Sequence, residues 1–99
     1  MKITQEMKKR VNVMIFGKVQ CVFFRDNIMK LANTFSIKGW VKNINSEVEA
    51  VFEGDQEKIE RMLEFCRKGP EEAFITNLDV KEENYTGEFK DFKIIYPKE

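Results

Sequence analysis

The order in which two hydrophobic periodicities alternate along the chain is the strongest constraint on its fold. Stretches typical of strands and stretches typical of helices follow one another as strand, helix, strand, strand, helix, strand and one further short strand. The predicted strands are Val11–Phe16, Trp40–Asn43, Val48–Phe52, Phe74–Val80 and a final one containing Phe92, Ile94 and Tyr96. This order predicts an α+β, ferredoxin-like (split β-α-β) sandwich, with two helices on one face of a four- to five-stranded antiparallel sheet.

Two amphipathic helices separate these strands. The first has its apolar stripe at Phe24, Ile28, Leu31, Ala32 and Phe35, and the second has its stripe at Ile59, Met62, Leu63 and Cys66. Asp55 is the predicted N-cap of the second helix, and Gly69-Pro70 is the predicted stop. Because each helix has a single apolar stripe, we expect each to cover the sheet on one side only.

The length of 99 residues predicts one domain that can bury its own core without a metal or a disulfide. We expect residues 1–9, which are charged and lack periodicity, to form a flexible lead-in, and residues 10–97 to form the single domain. No apolar run has the length of a membrane span or the character of a signal peptide. This predicts a cytoplasmic location with Cys21 and Cys66 reduced.

Three features of the composition exclude or argue against classes of function. Seventeen basic and seventeen acidic side chains balance one another, whereas proteins that bind nucleic acid usually carry a basic excess. The chain has no histidine, which excludes a His-based triad, a histidine metal ligand and an imidazole general base. With two cysteines, a four-cysteine zinc site is excluded as well.

The segment between the first strand and the first helix combines two features of an anion site. Its backbone N–H groups lie at a helix N-terminus, which attracts anions. Arg25, in the first turn of that helix, can direct paired N–H donors at the same anion. The topology brings Asn43 to this end too, because the first helix runs away from it and the second strand runs back. These residues predict an oxyanion site, most simply one for phosphate.

Two motifs at this end of the domain resemble those of the acylphosphatase family. The family's Gly-x-Val-Gln-Gly-Val-x-Phe-Arg motif is similar to Gly17-Lys18-Val19-Gln20-Cys21-Val22-Phe23-Phe24-Arg25. Its second motif is similar to Gly39-Trp40-Val41-Lys42-Asn43, and Gly69-Pro70 also falls at a family position. The resemblance extends from about Val11 to Tyr96, and the family's fold is the ferredoxin-like one predicted above.

The resemblance implies hydrolysis of the carboxyl–phosphate bond of acyl phosphates to carboxylate and inorganic phosphate by direct attack of water. It implies no cofactor, no metal and no covalent intermediate. We expect a monomer that binds a small-molecule acyl phosphate or phosphate, with neither nucleic acid nor membrane as a partner. Arg25 would bind the phosphoryl oxygens and Asn43 would hold the attacking water. The phosphate-binding loop would be formed by the backbone N–H groups of Lys18, Val19, Gln20, Cys21 and Val22.

Three family glycines are replaced in this chain. Ser36 follows the first helix, the turn from Asn43 to Val48 is one residue shorter and lacks its glycine, and Cys21 lies in the phosphate-binding loop. Asn45 can adopt the left-handed conformation in that turn. Cys21 adds a Cβ and a sulfur near the anion. It supports the alternative of an acylphosphatase-like module that binds phosphate or acyl phosphate with impaired catalysis.

Two further alternatives have less support. An RNA-recognition domain has a similar element order, but the chain lacks the aromatic- and glycine-rich strand and the basic excess of that family. The chain could also be a piece of a larger carbamoyl-transferring protein, because some of these begin with such a domain. From its length of 99 residues, we expect it to be a separate protein and not such a piece.

Overall fold

A computed structural model describes residues 7–20 and 23–96 of the chain. The elements are β1 (Lys8–Lys18), α1 (Phe24–Thr34), β2 (Lys38–Ile44), β3 (Glu47–Asp55), α2 (Gln56–Lys68), β4 (Phe74–Glu83) and β5 (Phe92–Ile95). The predicted element order and the ferredoxin-like α+β class are confirmed, because the two helices pack on one five-stranded sheet of order β4-β1-β3-β2-β5. Among the described residues, neither α1 nor α2 combines the length and the hydropathy that a membrane span requires.

The prediction of a wholly antiparallel sheet is wrong for the last strand. The first four strands pair antiparallel, whereas β5 pairs parallel with β2. If the end where β1 finishes is called the top, β4 ends at the bottom. Residues 84–91 then lead to the opposite edge of the sheet, so β5 starts at the bottom beside the start of β2 and runs upward. As a result β1, β2 and β5 all end at the top, where α1 begins.

A buried carboxylate holds the connection between β4 and β5. Glu53 is only 2% exposed and accepts hydrogen bonds from the backbone N–H groups of Thr86 (2.9 Å) and Gly87 (3.0 Å). It also accepts from the Thr86 hydroxyl (2.8 Å) and from Arg10 (3.1 Å). Burial alone would raise the pKa of Glu53, but these hydrogen bonds outweigh burial and lower it. An ionised Glu53 therefore fixes the path by which the chain reaches β5.

Two stacked phenyl rings, which meet over a glycine, hold β5 against the rest of the sheet. Phe52, Gly39 and Phe92 lie in register across β3, β2 and β5. Because Gly39 has no side chain, the two phenyl rings meet above it, with centroids 5.7 Å apart and planes 16° from parallel. Both rings belong to the main hydrophobic core. The stack anchors the start of β5 and thereby the residues that follow it to the top.

The predicted helix stripes form the core between helices and sheet. The second helix buries all four of its predicted residues, and the first buries Phe24, Ile28 and Ala32, with Leu31 and Phe35 partly buried. Burial raises the pKa of the Cys66 thiol to about 12, so this free cysteine stays protonated and behaves as a small apolar side chain.

The lower ends of β1 and α2 differ from the sequence prediction. β1 begins at Lys8, so Lys8 and Lys9 belong to the sheet although they fall within the predicted lead-in. Pairing with β3 accounts for this extension, and the Lys8 ammonium contacts the Asp55 carboxylate at 2.7 Å. Asp55 is the N-cap residue of α2, as predicted, but its side chain makes no capping hydrogen bond.

Candidate active site

A bulge at the end of β1 redirects the chain toward the top of the domain. The β1–β4 register shifts between Phe16 and Gly17, and Gly17 has a φ of 127°. A Cβ at this position would overlap the carbonyl oxygen of Phe74 on β4. Only glycine satisfies both the left-handed backbone and the close approach of the neighbouring strand. The bulge at Gly17 therefore fixes the direction in which the following loop leaves β1.

Two side chains then fix the beginning of this loop. Val19 is 1% exposed and belongs to the hydrophobic core. Gln20 donates from Nε2 to the backbone carbonyls of Asn45 (2.8 Å) and Glu47 (2.7 Å), so it ties the loop to the turn between β2 and β3. A cavity of about 400 Å³ opens beside it, lined by Gly17, Lys18, Val19, Gln20, Ser46 and Glu72.

Asn43 lies at the same end of the sheet, on the face that the helices cover. Ile15, Val48 and Asn43 form one register row across β1, β3 and β2. Residues in register point to the same face, and Ile15 and Val48 are both completely buried in the core. The Oδ1 atom of Asn43 is buried and has no hydrogen-bond partner in the structure.

Arg25 is the second residue of α1, and its guanidinium is only partly satisfied. The NH1 atom is buried and has no hydrogen-bond partner in the structure. Within residues 7–20 and 23–96, Arg25 takes part in none of the ion pairs. Its guanidinium carbon lies 5.1 Å from the centre of the Tyr96 ring. Arg25 therefore presents an unneutralised charge and a free N–H donor.

The N-terminus of α1 adds backbone donors to this cation. Its N-cap residue, Phe23, makes no side-chain hydrogen bond to the first turn. The N–H groups of a first turn have no partners within the helix, so they are available to a ligand or to water. A cation, helix N–H groups and a buried carbonyl acceptor together suit a phosphoryl group with a water molecule next to it.

The structure brings most of the predicted site residues to one end of the domain. Lys18 ends β1, Val19 and Gln20 begin the loop, and Arg25 and Asn43 provide the two unpartnered atoms. Cys21 and Val22, the other predicted loop residues, lie outside the described residues. Within the ranges 7–20 and 23–96, no group of three or more Cys, Asp or Glu side chains is placed to hold a metal ion.

Tyr96 contacts Arg25, which the sequence analysis did not anticipate. The alternation of Phe92, Ile94 and Tyr96 predicted a last strand with these three residues on one face. Phe92 is indeed buried, but Tyr96 is 64% exposed and contacts Arg25. To predict this contact, one must know that β5 pairs parallel with β2. The local sequence pattern does not show which strands pair.

Comparison with known proteins identifies a family whose members match most of this chain. The acylphosphatase family model matches residues 11–94. A curated acylphosphatase from Syntrophus aciditrophicus (strain SB) is 52% identical over 91 residues, which cover 91% of this chain and 95% of that relative. The solved acylphosphatase structure from Coxiella burnetii has a TM-score of 0.85 at 32% identity and covers 94% of this chain and 100% of that one.

A longer protein contains a similar domain. The crystal structure of full-length HypF in its phosphate- and nucleotide-bound form has a TM-score of 0.83 at 29% identity. The match covers 95% of this chain but 12% of that one.

Proposed function

The chain belongs to the acylphosphatase family, and on that premise we propose that Arg25 and Asn43 divide the hydrolysis of an acyl phosphate between them. Arg25 binds the phosphoryl oxygens through its N–H donors, and Asn43 accepts a hydrogen bond from the attacking water. One observation supports this division most directly: NH1 of Arg25 and Oδ1 of Asn43 are the buried side-chain atoms without a partner in the described part of the chain. The first is a cationic donor and the second is a neutral acceptor.

The energetic argument follows from the cost of leaving such atoms unpaired. A buried polar group without a partner costs about 1–3 kcal/mol, and native proteins contain few of them. A phosphoryl oxygen satisfies the Arg25 donor, and a water O–H satisfies the Asn43 acceptor. Binding of substrate and water would supply both partners, which supports the roles proposed for these two atoms.

The reaction needs positioning more than a strong base. Water attacks phosphorus, the bond between phosphorus and the acyl oxygen breaks, and its electron pair leaves on the carboxylate. Both water protons remain on the phosphate, so a dianionic acyl phosphate gives a carboxylate and dihydrogen phosphate. Carboxylate is a weakly basic leaving group, and a loose phosphoryl-transfer state is stabilised by aligned donors and cationic charge. A chain without histidine can therefore perform it.

The loop after β1 supports the phosphoryl group in this proposal. The Gly17 bulge, the buried Val19 side chain and the two Gln20 hydrogen bonds fix the first part of the loop. We propose that the backbone N–H groups of residues 18–22 point at the oxyanion and that no metal takes part. A binding module with impaired catalysis is not favoured, because curated relatives that match nine-tenths of the chain are acylphosphatases.

The decisive experiment separates anion binding from water positioning. Steady-state hydrolysis of benzoyl phosphate is measured with chelator present, and inorganic phosphate serves as a competitive inhibitor. We expect Arg25→Gln to lose about 100- to 1,000-fold in kcat/KM together with phosphate inhibition, since it removes donors that face the anion. Asn43→Ala should lose turnover to a similar extent while phosphate inhibition persists.

Matched controls are available on exposed positions. Arg61→Gln removes an arginine whose contact is with Glu57 on the outer face of α2, and Asn77→Ala removes an exposed asparagine of β4. Both should keep the parent kinetics. Loss of phosphate inhibition in Asn43→Ala equal to that in Arg25→Gln would contradict the division of roles, and a requirement for a divalent ion would contradict the metal-free reaction.

We also propose that the protein acts in the cytoplasm as a monomer. The two residues to which we assign catalytic roles, Arg25 and Asn43, belong to the same small domain. Sedimentation equilibrium at micromolar concentration should give the mass of a single chain, 11.8 kDa. A dimer at concentrations where the enzyme is fully active would contradict the proposal.

A further inference from the structure

We propose that Tyr96 is a positioning residue for Arg25, and that its ring holds the guanidinium in the orientation that binds the phosphoryl group. The proposal rests on the phosphate-binding role of Arg25. It starts from the 5.1 Å distance between the Arg25 guanidinium carbon and the centre of the Tyr96 ring. A cation within about 6 Å of a ring centre is attracted by the negative face of the ring.

The fold explains why Tyr96 is at this position. β5 pairs parallel with β2, and Ile95 is in register with Lys42. The next residue along, Tyr96, is therefore level with Asn43 at the top of the sheet. Ile94 packs against the core, and Tyr96 lies two residues beyond it on the same side. The parallel strand β5 is therefore the element that brings the Tyr96 ring to Arg25.

A ring differs from a carboxylate as a partner for an anion-binding arginine. A carboxylate neutralises the guanidinium and occupies its N–H donors, whereas a ring contacts the flat face and leaves the donors at the edge available. The Arg25 guanidinium fits this pattern, since it contacts a ring and keeps NH1 unpartnered. Its charge and its donors remain for the phosphoryl oxygens.

Arg10 provides an internal comparison at the bottom of the sheet. Its guanidinium lies 5.3 Å from the centre of the Phe89 ring. It is also paired with three carboxylates, those of Glu53, Glu83 and Glu88. Two arginines of one chain thus stack on rings, but the guanidinium of Arg10 is committed to acidic partners and that of Arg25 is not. The first arrangement suits a structural role and the second suits a ligand.

The experiment compares Tyr96→Phe with Tyr96→Leu. Tyr96 is 64% exposed, so both variants should fold, and thermal unfolding checks this. Leucine keeps an apolar side chain but removes the ring face, and phenylalanine keeps the face but removes the hydroxyl. We expect Tyr96→Phe to stay within about twofold of the parent in kcat/KM. Tyr96→Leu should lose about 3- to 30-fold in kcat/KM, with a parallel weakening of inhibition by inorganic phosphate.

A spectroscopic measurement follows the same contact without activity. The Arg25 Nε–H proton in the ligand-free protein should carry a ring-current shift that Tyr96→Phe keeps and Tyr96→Leu removes. Phe89→Leu is the matched control, because it removes the ring from Arg10 far from the site. It should change thermal stability and leave kcat/KM and phosphate inhibition unchanged.

The possible failures are distinguishable. Retained activity in Arg25→Gln would remove the basis of the proposed site itself. An inactive Arg25→Gln with parent-like kinetics in Tyr96→Leu would overturn only the positioning role. An equal loss in Tyr96→Phe and Tyr96→Leu would also overturn it, because the effect would then belong to the hydroxyl and not to the ring face.

Discussion

Gln20 donates a 2.8 Å hydrogen bond from its side-chain Nε2 to the backbone carbonyl of Asn45, and so joins two loops that are distant along the chain. The same Nε2 also donates to the carbonyl of Glu47. The loop after β1 and the turn after Asn43 are therefore held as one unit. Each such bond contributes about 0.5–1.5 kcal/mol net, enough to decide whether the loop keeps a single arrangement.

Replacement of Gln20 by Ala should loosen the phosphate-binding loop. Because both hydrogen bonds are lost, we expect kcat/KM for benzoyl phosphate to fall about 10-fold, the equivalent of about 1.4 kcal/mol. Asn12→Ala is the control, since it removes a side-chain amide hydrogen bond to Glu49 on the other face of the sheet. Parent-like kinetics for Gln20→Ala would show that the loop holds its shape without this link.

Replacement of Ser36 by Gly should stabilise the protein. Ser36 has a φ of 57° directly after α1, and the following N–H, that of Ile37, donates back to Ala32. This is a helix end that glycine fits without steric cost. We expect a gain of about 0.5–1 kcal/mol in the free energy of unfolding by urea, after the greater freedom of unfolded glycine is subtracted.

Asn45→Gly is the matched comparison for that gain. Asn45 also has a left-handed backbone, with a φ of 55°, but asparagine tolerates this conformation better than serine does. Its stabilisation should be the smaller of the two. A larger gain at Asn45 than at Ser36 would contradict the assignment of strain to Ser36.

Glu53 should make the fold sensitive to acid. The pKa of its carboxyl is lower in the folded protein than in the unfolded chain, so its stabilising effect is complete above the unfolded-state pKa. The effect declines as the pH falls through the lower, folded-state pKa. We expect Glu53→Ala to lose about 2–5 kcal/mol of unfolding free energy at pH 7, because it leaves the N–H groups of Thr86 and Gly87 without their buried acceptor and removes one of the carboxylate partners of Arg10.

The pH dependence of the unfolding free energy distinguishes the loss of the Glu53 charge from a simple packing defect. The difference in unfolding free energy between the parent and Glu53→Gln, which keeps the shape but not the charge, should be constant near neutrality. It should narrow in acid, below the unfolded-state pKa of a glutamate, which is about 4.3. A difference that stays constant down to the acid limit would mean that Glu53 is not ionised in the folded protein.

Replacement of Cys21 by Gly should raise catalytic efficiency. Cys21 stands where the family motif has glycine, and it lies outside the described residues, so the expectation comes from the sequence. Removing Cβ and sulfur lets consecutive N–H groups approach the anion, and we expect a gain of roughly fivefold in kcat/KM. Cys21→Ser, which keeps the Cβ, is the control. Equal or lower efficiency of Cys21→Gly would mean that the loop has adapted to cysteine.

Much of the site could be predicted because it depends on patterns that are local in the sequence. The helical stripe from Phe24 and the strand ending near Asn43 fix the two elements, and the split β-α-β order then brings Arg25 and Asn43 to one end. The left-handed conformation at Asn45 was also readable, because asparagine in a short turn adopts it.

The remaining features depend on which strands pair with one another. The local sequence pattern does not show this pairing. The alternation from Phe92 to Tyr96 predicted a strand but not its direction, which follows from the route of residues 84–91 to the far edge of the sheet. The contact of Tyr96 with Arg25 follows from that direction. Lys8 and Lys9 lack apolar periodicity and are ordered in β1 by pairing with β3.

The position of β1 inside the sheet also affects how fast the chain can fold. β1 lies between β3 and β4, and its residue Ile15 pairs with Val48 on one side and Leu78 on the other. Long loops must close before either pairing forms, and this loss of chain entropy raises the kinetic barrier. Stopped-flow refolding should therefore proceed in milliseconds to seconds, and relaxation within microseconds would contradict this. During that delay the site does not exist, because the bulge at Gly17 depends on the presence of β4.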